Sequence, residues 1–264
     1  MDFWNDRPLR EFKKTKQIKV RQQVSNKVQN PNQGGSKNFL WAMVAIVVVA
    51  IVVVGFIVIQ GQGSKAAKLG DRDYEDTSLA MEVGSDSITL TSANASADAK
   101  SVQLFEDFSC PHCSELSLAT DADMKTQIED GNLVVEIKPL NFLDRENIDG
   151  HSTHALAAAL AVADSNDATL YWNFRAFLME DQSEIYNQWS DDDFADGVEA
   201  LGADSSVVDA IRNGDNIQRA YDLATANGEE LTEETGSLSS PRVLQDGKDV
   251  EGNISDWITT VLAS

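Results

Sequence analysis

Apolar and polar positions divide this chain into three stretches of different character. Residues 1–38 are polar, basic and rich in Gln and Asn. Phe39–Ile59 ("FLWAMVAIVVVAIVVVGFIVI") runs for 21 residues without a charge or a proline. A helix of about 20 apolar residues crosses a bilayer core, whereas the apolar part of a cleaved signal peptide is about 7–15 residues. The run is therefore expected to be an uncleaved transmembrane signal-anchor. Residues 60–85 are polar, contain several glycines and lack a period, and read as a tether.

From there the pattern is that of a folded domain over residues 86–264. Ser87–Thr91 and Ser101–Phe108 read as strands, Pro111 to about Ile128 as a helix closed by Gly131, and Leu133–Pro139 as a third strand. Strand, helix and strand in that order make a βαβ unit with parallel strands. Helices are expected over Ser152–Ala163 and Leu170–Met179, from a capping box at Ser190 and Asp193 to near Gly202, from Asp204 or Ser205 through Ile211, and over Ile217–Ala226. Arg242–Gln245, the turn Asp246–Lys248 and Val250 read as a hairpin, and Ser255–Leu262 as a last helix. No internal repeat is visible.

Charge gives these stretches a direction. Residues 1–59 hold nine Lys/Arg against three Asp/Glu, and the remainder holds 12 against 40. Basic flanks stay on the cytoplasmic side, so the tail is expected inside and the domain outside, joined to the membrane through one helix. So acidic an exterior repels nucleic acid and anionic lipid, which argues against them as partners of the domain.

The chemistry lies in "FEDFSCPHCSEL", Phe105–Leu116, which holds both cysteines of the chain, Cys110 and Cys113. Haem attachment needs His directly after the second cysteine, and Ser114 is there instead. A zinc site needs four ligands. Cys110 and Cys113 with His112, His151 and His154 supply enough on paper, but no second cysteine pair exists, and His151 with His154 reads as an exposed helix start. A structural disulfide across two intervening residues gains little loop entropy.

A redox dithiol explains more. Cys110 falls where a strand meets a helix, with Pro111 at the first helical position, where a missing N–H costs nothing. Its sulfur would face free backbone N–H groups and the positive end of the helix dipole, and a protonated His112 would add to both in lowering its pKa. Cys113, one turn further in, would lie deeper.

"FEDFSCPHC" after a strand, "VEIKPLNFLD" at Val135–Asp144 and "SSPRVLQDGKDV" about 130 residues after the dithiol resemble the DsbA-like branch of the thioredoxin superfamily, membrane-anchored actinobacterial type. The resemblance covers roughly residues 85–263. It implies an α/β thioredoxin fold with a helical domain inserted after the third strand, about residues 149–235. It also implies a redox disulfide Cys110–Cys113, a cis-proline at Pro241 facing it, and Ser240–Pro241 as the place where an extended substrate pairs. Relatives commonly carry a buried Glu six residues before the first cysteine. Leu104 stands there, Glu106 and Asp107 are offset from it, and Glu136 on the next strand is either a substitute for the missing group or a solvated strand-end carboxylate.

The activity implied is that of an extracytoplasmic thiol–disulfide oxidoreductase that introduces disulfides into reduced exported proteins. It needs no cofactor and no metal, and is recharged by a quinone-linked membrane partner, DsbB-like or VKOR-like. The alternatives are a reductase or isomerase of the same fold, and a non-catalytic membrane-tethered adaptor.

Overall fold

The computed structural model describes residues 43–53, 65, 69–70 and 72–264. Residues 43–53 form a helix whose apolar side chains, among them Ile46, Val49 and Ile51, are all exposed. The rest of the expected membrane span, and the basic tail, lie outside the described residues. Among the described residues no helix is long and apolar enough to cross a membrane.

Six strands form one sheet in the order β1-β2-β4-β3-β5-β6. They are β1 (Leu79–Val83), β2 (Ile88–Ser92), β3 (Lys100–Glu106), β4 (Leu133–Pro139), β5 (Arg242–Gln245) and β6 (Lys248–Asp249). β3 and β4 are parallel, in register from Lys100 opposite Leu133 to Glu106 opposite Pro139, and every other pair is antiparallel. The crossover between the parallel strands is α1 (Pro111–Glu129), as the βαβ reading requires. β1 is a correction to the tether, of which Leu79–Val83 is an edge strand paired with β2. β6 also differs from expectation, since Lys248–Asp249 pairs with β5 and Val250 lies just beyond it.

Between β4 and β5 the chain leaves the sheet and builds α2 (His151–Asp164), α3 (Ala168–Glu180), α4 (Gln182–Ile185), α5 (Asp191–Ala200), α6 (Ser205–Arg212) and α7 (Ile217–Thr235), before α8 (Trp257–Leu262) ends the chain. α2 buries nearly every residue, and its alanines let neighbouring helices approach closely. The Ser190–Asp193 capping box is present at the head of α5. α7 continues nine residues past its expected end at Ala226, through Gly228, and closes on a left-handed Gly236. The result is a thioredoxin fold with a helical insertion.

The two faces of the sheet are covered differently. Side chains alternate across a strand. Leu104 joins the large core that includes Met124 of α1, while its neighbour Phe105 packs with Leu140, Leu231 of α7 and Leu244. Helices therefore lie on both faces. The C-terminal ends of β3 and β4 and the N-terminal end of β5 share one edge of the sheet.

Candidate functional site

The chain leaves β3 at Glu106, turns through residues 107–109 and enters α1 with Cys110 as N-cap and Pro111 at the first helical position. Cys110 has extended backbone angles and makes no capping bond through its side chain, so its sulfur stands beside the free N–H groups of the first turn. Across from it the Ser240–Pro241 peptide is cis. The Ser240 carbonyl is 3.5 Å from Cys110 Sγ, and the Ser240 hydroxyl is 3.3 Å from Cys113 Sγ. Both cysteines are free thiols. A cleft of about 290 Å³ opens beside them, lined by His112, Glu115, Leu116, Ser240, Pro241 and Ile254 among others.

The two sulfurs differ sharply. The Cys110 thiol is pulled down to about 5, first by a hydrogen bond from Cys113 and then by Ser240 and the backbone N–H groups of Cys113 and His112, with burial opposing them. Cys113 is driven far upward by burial and by the neighbouring Cys110 sulfur. The backbone N–H groups of the helix start contribute, but less than the Cys113 thiol does. The part of His112 is different. Its ring is 75% exposed and bonded to Glu115 at 2.9 Å, so its backbone N–H, not its ring, meets the Cys110 sulfur.

Behind the dithiol lie groups that the motif does not contain. The Asp107 backbone N–H is 3.4 Å from Cys113 Sγ. Its carboxylate accepts from Ser109 N at 2.8 Å and from Ser152 Oγ at 2.6 Å. Burial nonetheless lifts it to about 7. Ser152 comes from the head of α2, which Asp144 caps from outside by accepting from the N–H groups of Ser152 and Thr153. Gly150 permits this, because a Cβ there would collide with the Asp144 carboxyl.

Gln182, at the start of α4, donates one amide hydrogen to the Phe108 carbonyl at 2.9 Å and the other to the Cys110 carbonyl at 3.0 Å. Glu106 receives a two-pronged ion pair from Arg175 of α3 at 2.8 and 2.6 Å, and Arg175 also reaches Asp121 of α1 at 2.7 Å. Burial pulls the Glu106 carboxyl upward and the guanidinium opposes it.

The other residues singled out in the sequence are dispersed. Leu104 is a buried apolar residue, and Glu136 sits in mid-strand opposite Gln103, three residues short of the site edge. His151 is a correction. It is buried, edge-on to Tyr186 and beside Phe194, and burial lowers it to about 4. The preceding Gly150 brings the chain under the aromatic layer of the insertion, where an exposed helix start would have placed it in water. His154 bonds Asp191 at 2.7 Å. Among the described residues no group of three or more His, Cys, Asp or Glu is placed to hold a metal ion.

Comparison with known proteins agrees with this geometry. A family model described as thioredoxin matches residues 92–258. The structure of MdbA, a thiol-disulfide oxidoreductase from Corynebacterium diphtheriae, is 47% identical and superposes with a TM-score of 0.72, covering 74% of this chain and 98% of that one. The MdbA of Corynebacterium matruchotii is 38% identical with the same TM-score, covering 75% and 99%. A curated relative, the serine/threonine-protein kinase PknE of Mycobacterium tuberculosis, is 29% identical over 135 residues, 49% of this chain and 24% of the kinase. The chain thus spans about a quarter of that relative's length.

Proposed function

The chain belongs to the thioredoxin family, as a thiol–disulfide oxidoreductase of the DsbA and MdbA kind, and on that premise we propose that it oxidises exported proteins outside the cytoplasmic membrane. The observation that carries the direction is the inequality of the two sulfurs. An environment that favours the Cys110 thiolate stabilises the reduced protein, and so makes its Cys110–Cys113 disulfide more oxidising.

The exchange runs in two steps. A substrate thiolate attacks Cys110 Sγ, the Cys110–Cys113 bond breaks, and its electron pair leaves on Cys113, which takes up a proton. Asp107, whose N–H meets the Cys113 sulfur and whose buried carboxyl titrates near neutrality, is the group at hand to supply that proton. A second substrate thiolate then attacks the substrate sulfur of the mixed disulfide. Cys110 leaves as a thiolate, and its low pKa makes it a good leaving group. The substrate has lost two electrons and the dithiol has gained them.

Ser240 and Pro241 form the wall against which the substrate backbone lies. Phe39–Ile59 anchors the domain, with the basic tail in the cytoplasm, and a quinone-linked membrane protein of the DsbB or VKOR type accepts the electrons. The direct test is the potential of the dithiol in the full chain, equilibrated against glutathione buffers. A value more oxidising than about −200 mV is expected, and one below about −270 mV would make it a reductase. Cys110→Ser should abolish transfer, whereas Cys113→Ser should accumulate mixed disulfides on Cys110.

A further inference from the structure

The polar stretch ahead of β1 is fastened to the helical insertion. Leu69 is fully buried, and Gly197 of α5 leaves room for it, since a Cβ there would come 3.0 Å from Leu69 Cδ2. The Glu75 backbone N–H donates to Asn173 Oδ1 at 2.8 Å, and Asn173 Nδ2 returns a bond to the Glu75 carbonyl at 2.8 Å. The Glu75 carboxylate accepts from Trp172 Nε1 at 3.1 Å.

Two cations of this stretch take hold of one segment of the insertion, Asp181 to Trp189. At its start, Arg72 donates to Asp181 Oδ2 at 2.5 Å and to the Glu180 carboxylate, with its guanidinium over the Phe177 ring. Near its end, Lys65 donates to the Gln188 carbonyl at 2.7 Å and to Asp193 Oδ2 at 2.9 Å. Trp189 shares the space beside Gly197 with Leu69.

The segment so gripped carries Gln182, whose amide holds the Phe108 and Cys110 carbonyls. It has little of its own to keep its shape. α4 is 4 residues long, far below the about 12–15 that an isolated helix needs, and Asn187 holds a left-handed φ of 55°. Asp181 is the N-cap of α4, a position where Asp commonly accepts from the helix's own N–H groups. Here its side chain makes no capping bond, and the carboxylate is turned outward to Arg72.

We propose that Arg72, supported by Lys65 and Leu69, is a positioning residue of the dithiol site: it fixes the Asp181–Trp189 segment from outside and so keeps Gln182 on the Phe108 and Cys110 carbonyls. The turn that carries Cys110 is then held from two sides, by its own strand and helix and by the chain that precedes the sheet. Loosening Arg72 should let the turn move, and the backbone N–H groups that face the Cys110 sulfur should lose their fixed place. The proposal rests on Cys110 being the sulfur that exchanges, and is independent of the direction of exchange.

The test is a double-mutant cycle in the full chain carrying Cys113→Ala, with the Cys110 thiolate followed by its absorbance against pH. Arg72→Ala should raise the Cys110 midpoint by at least half as much as Gln182→Ala does. The two together should raise it no further than Gln182→Ala alone, because Arg72 then has nothing left to act through. Arg72→Lys, which keeps a cation for Asp181, should fall between Arg72→Ala and the parent. Amide exchange, which reads local opening, should quicken in Arg72→Ala over residues 107–113 as well as over 181–189.

An Arg72→Ala that leaves the midpoint where the parent has it overturns the proposal, whatever it does to exchange, because Arg72 then only holds the fold. Additive shifts from Arg72 and Gln182 overturn it too, since the influence would reach Cys110 by another route. Should Arg72→Ala fail to fold, Arg72→Lys decides alone: faster exchange over 181–189 with an unmoved midpoint sinks the idea. A parent that titrates near the free-thiol value of about 8.5 removes the stabilised thiolate first, and the proposal with it.

Discussion

The sheet with α1 and the helical insertion contribute to the dithiol in different ways. The sheet and α1 supply the reacting atoms, Cys110 and Cys113 at the strand–helix junction with Ser240 and Pro241 opposite. The insertion supplies what lies behind them. Ser152 bonds Asp107, Gln182 holds two carbonyls of the turn, and Arg175 neutralises Glu106. The first region carries the exchange chemistry in outline, and the second holds the turn and the carboxyls behind it. A helical domain placed at the C-terminal edge of a sheet therefore braces the site as well as covering it.

Breaking the contact between α3 and β3 should produce the largest effect. Arg175→Ala leaves the Glu106 carboxylate buried without its cation, and losing one partner of a buried pair costs about 3–5 kcal/mol. Urea titration of the full chain should show a loss of that order. Arg175→Met combined with Glu106→Leu should recover most of it, because the charge is then removed on both sides. If the double variant is as unstable as Arg175→Ala, shape rather than charge joins the two regions.

Asp107 sharpens the comparison through pH. Its folded-state pKa of about 7 lies above the usual carboxylate value of about 3.9. The folded protein therefore binds more protons than the unfolded chain between those values. The stability this group contributes is full below about pH 4 and is lost as pH rises through about 7. Asp107→Asn stays neutral and keeps an oxygen to accept from Ser109 and Ser152. It should stabilise the protein by about 2–3 kcal/mol more at pH 8 than at pH 5, read from urea midpoints. Equal effects at both pH values would mean that the carboxylate is ionised throughout. The same variant should slow turnover if Asp107 returns the proton to Cys113.

Gln182 tests whether the insertion sets the turn itself. Gln182→Ala strands the Phe108 carbonyl and removes one of the bonds at Cys110, which costs about 1–2 kcal/mol. The Cys110 titration, followed by thiolate absorbance in Cys113→Ala, should move upward by less than one pH unit as the backbone donors lose their fixed place. An unchanged midpoint would make Gln182 a brace for the fold alone.

These contacts explain what could be foreseen from the chain and what could not. The dithiol, its helix start and the parallel strands were legible because each depends on neighbours in sequence: Pro111 beside Cys110, or the apolar run of Leu133–Pro139. Arg175 and Glu106 are 69 positions apart, and Gln182 is 72 from Cys110, so no local pattern could join them. β1 was missed because Leu79–Val83 is a short edge strand in a polar surround, and α7 was expected to end at Ala226 where packing against β4 carries it on through Gly228. Glu106 read as an offset acid until the arginine opposite it was in place.

His112 should give the smallest effect, and it separates two sources of thiolate stabilisation. The helix start offers backbone N–H groups, which remain whatever side chain position 112 carries. The ring offers a charge, but it stands in water and is engaged by Glu115, which raises its pKa more than the Cys110 sulfur does. The attraction is mutual, so a protonated His112 must favour the thiolate to some degree. His112→Ala should therefore raise the Cys110 midpoint by only a few tenths of a pH unit at low salt. Near 1 M salt, where the screening length is about 3 Å, even that difference should vanish. Thiolate absorbance against pH at the two ionic strengths would decide it. A rise of more than one unit that survives the salt would return the ring to first place, and the helix terminus would then account for less of the difference between Cys110 and Cys113.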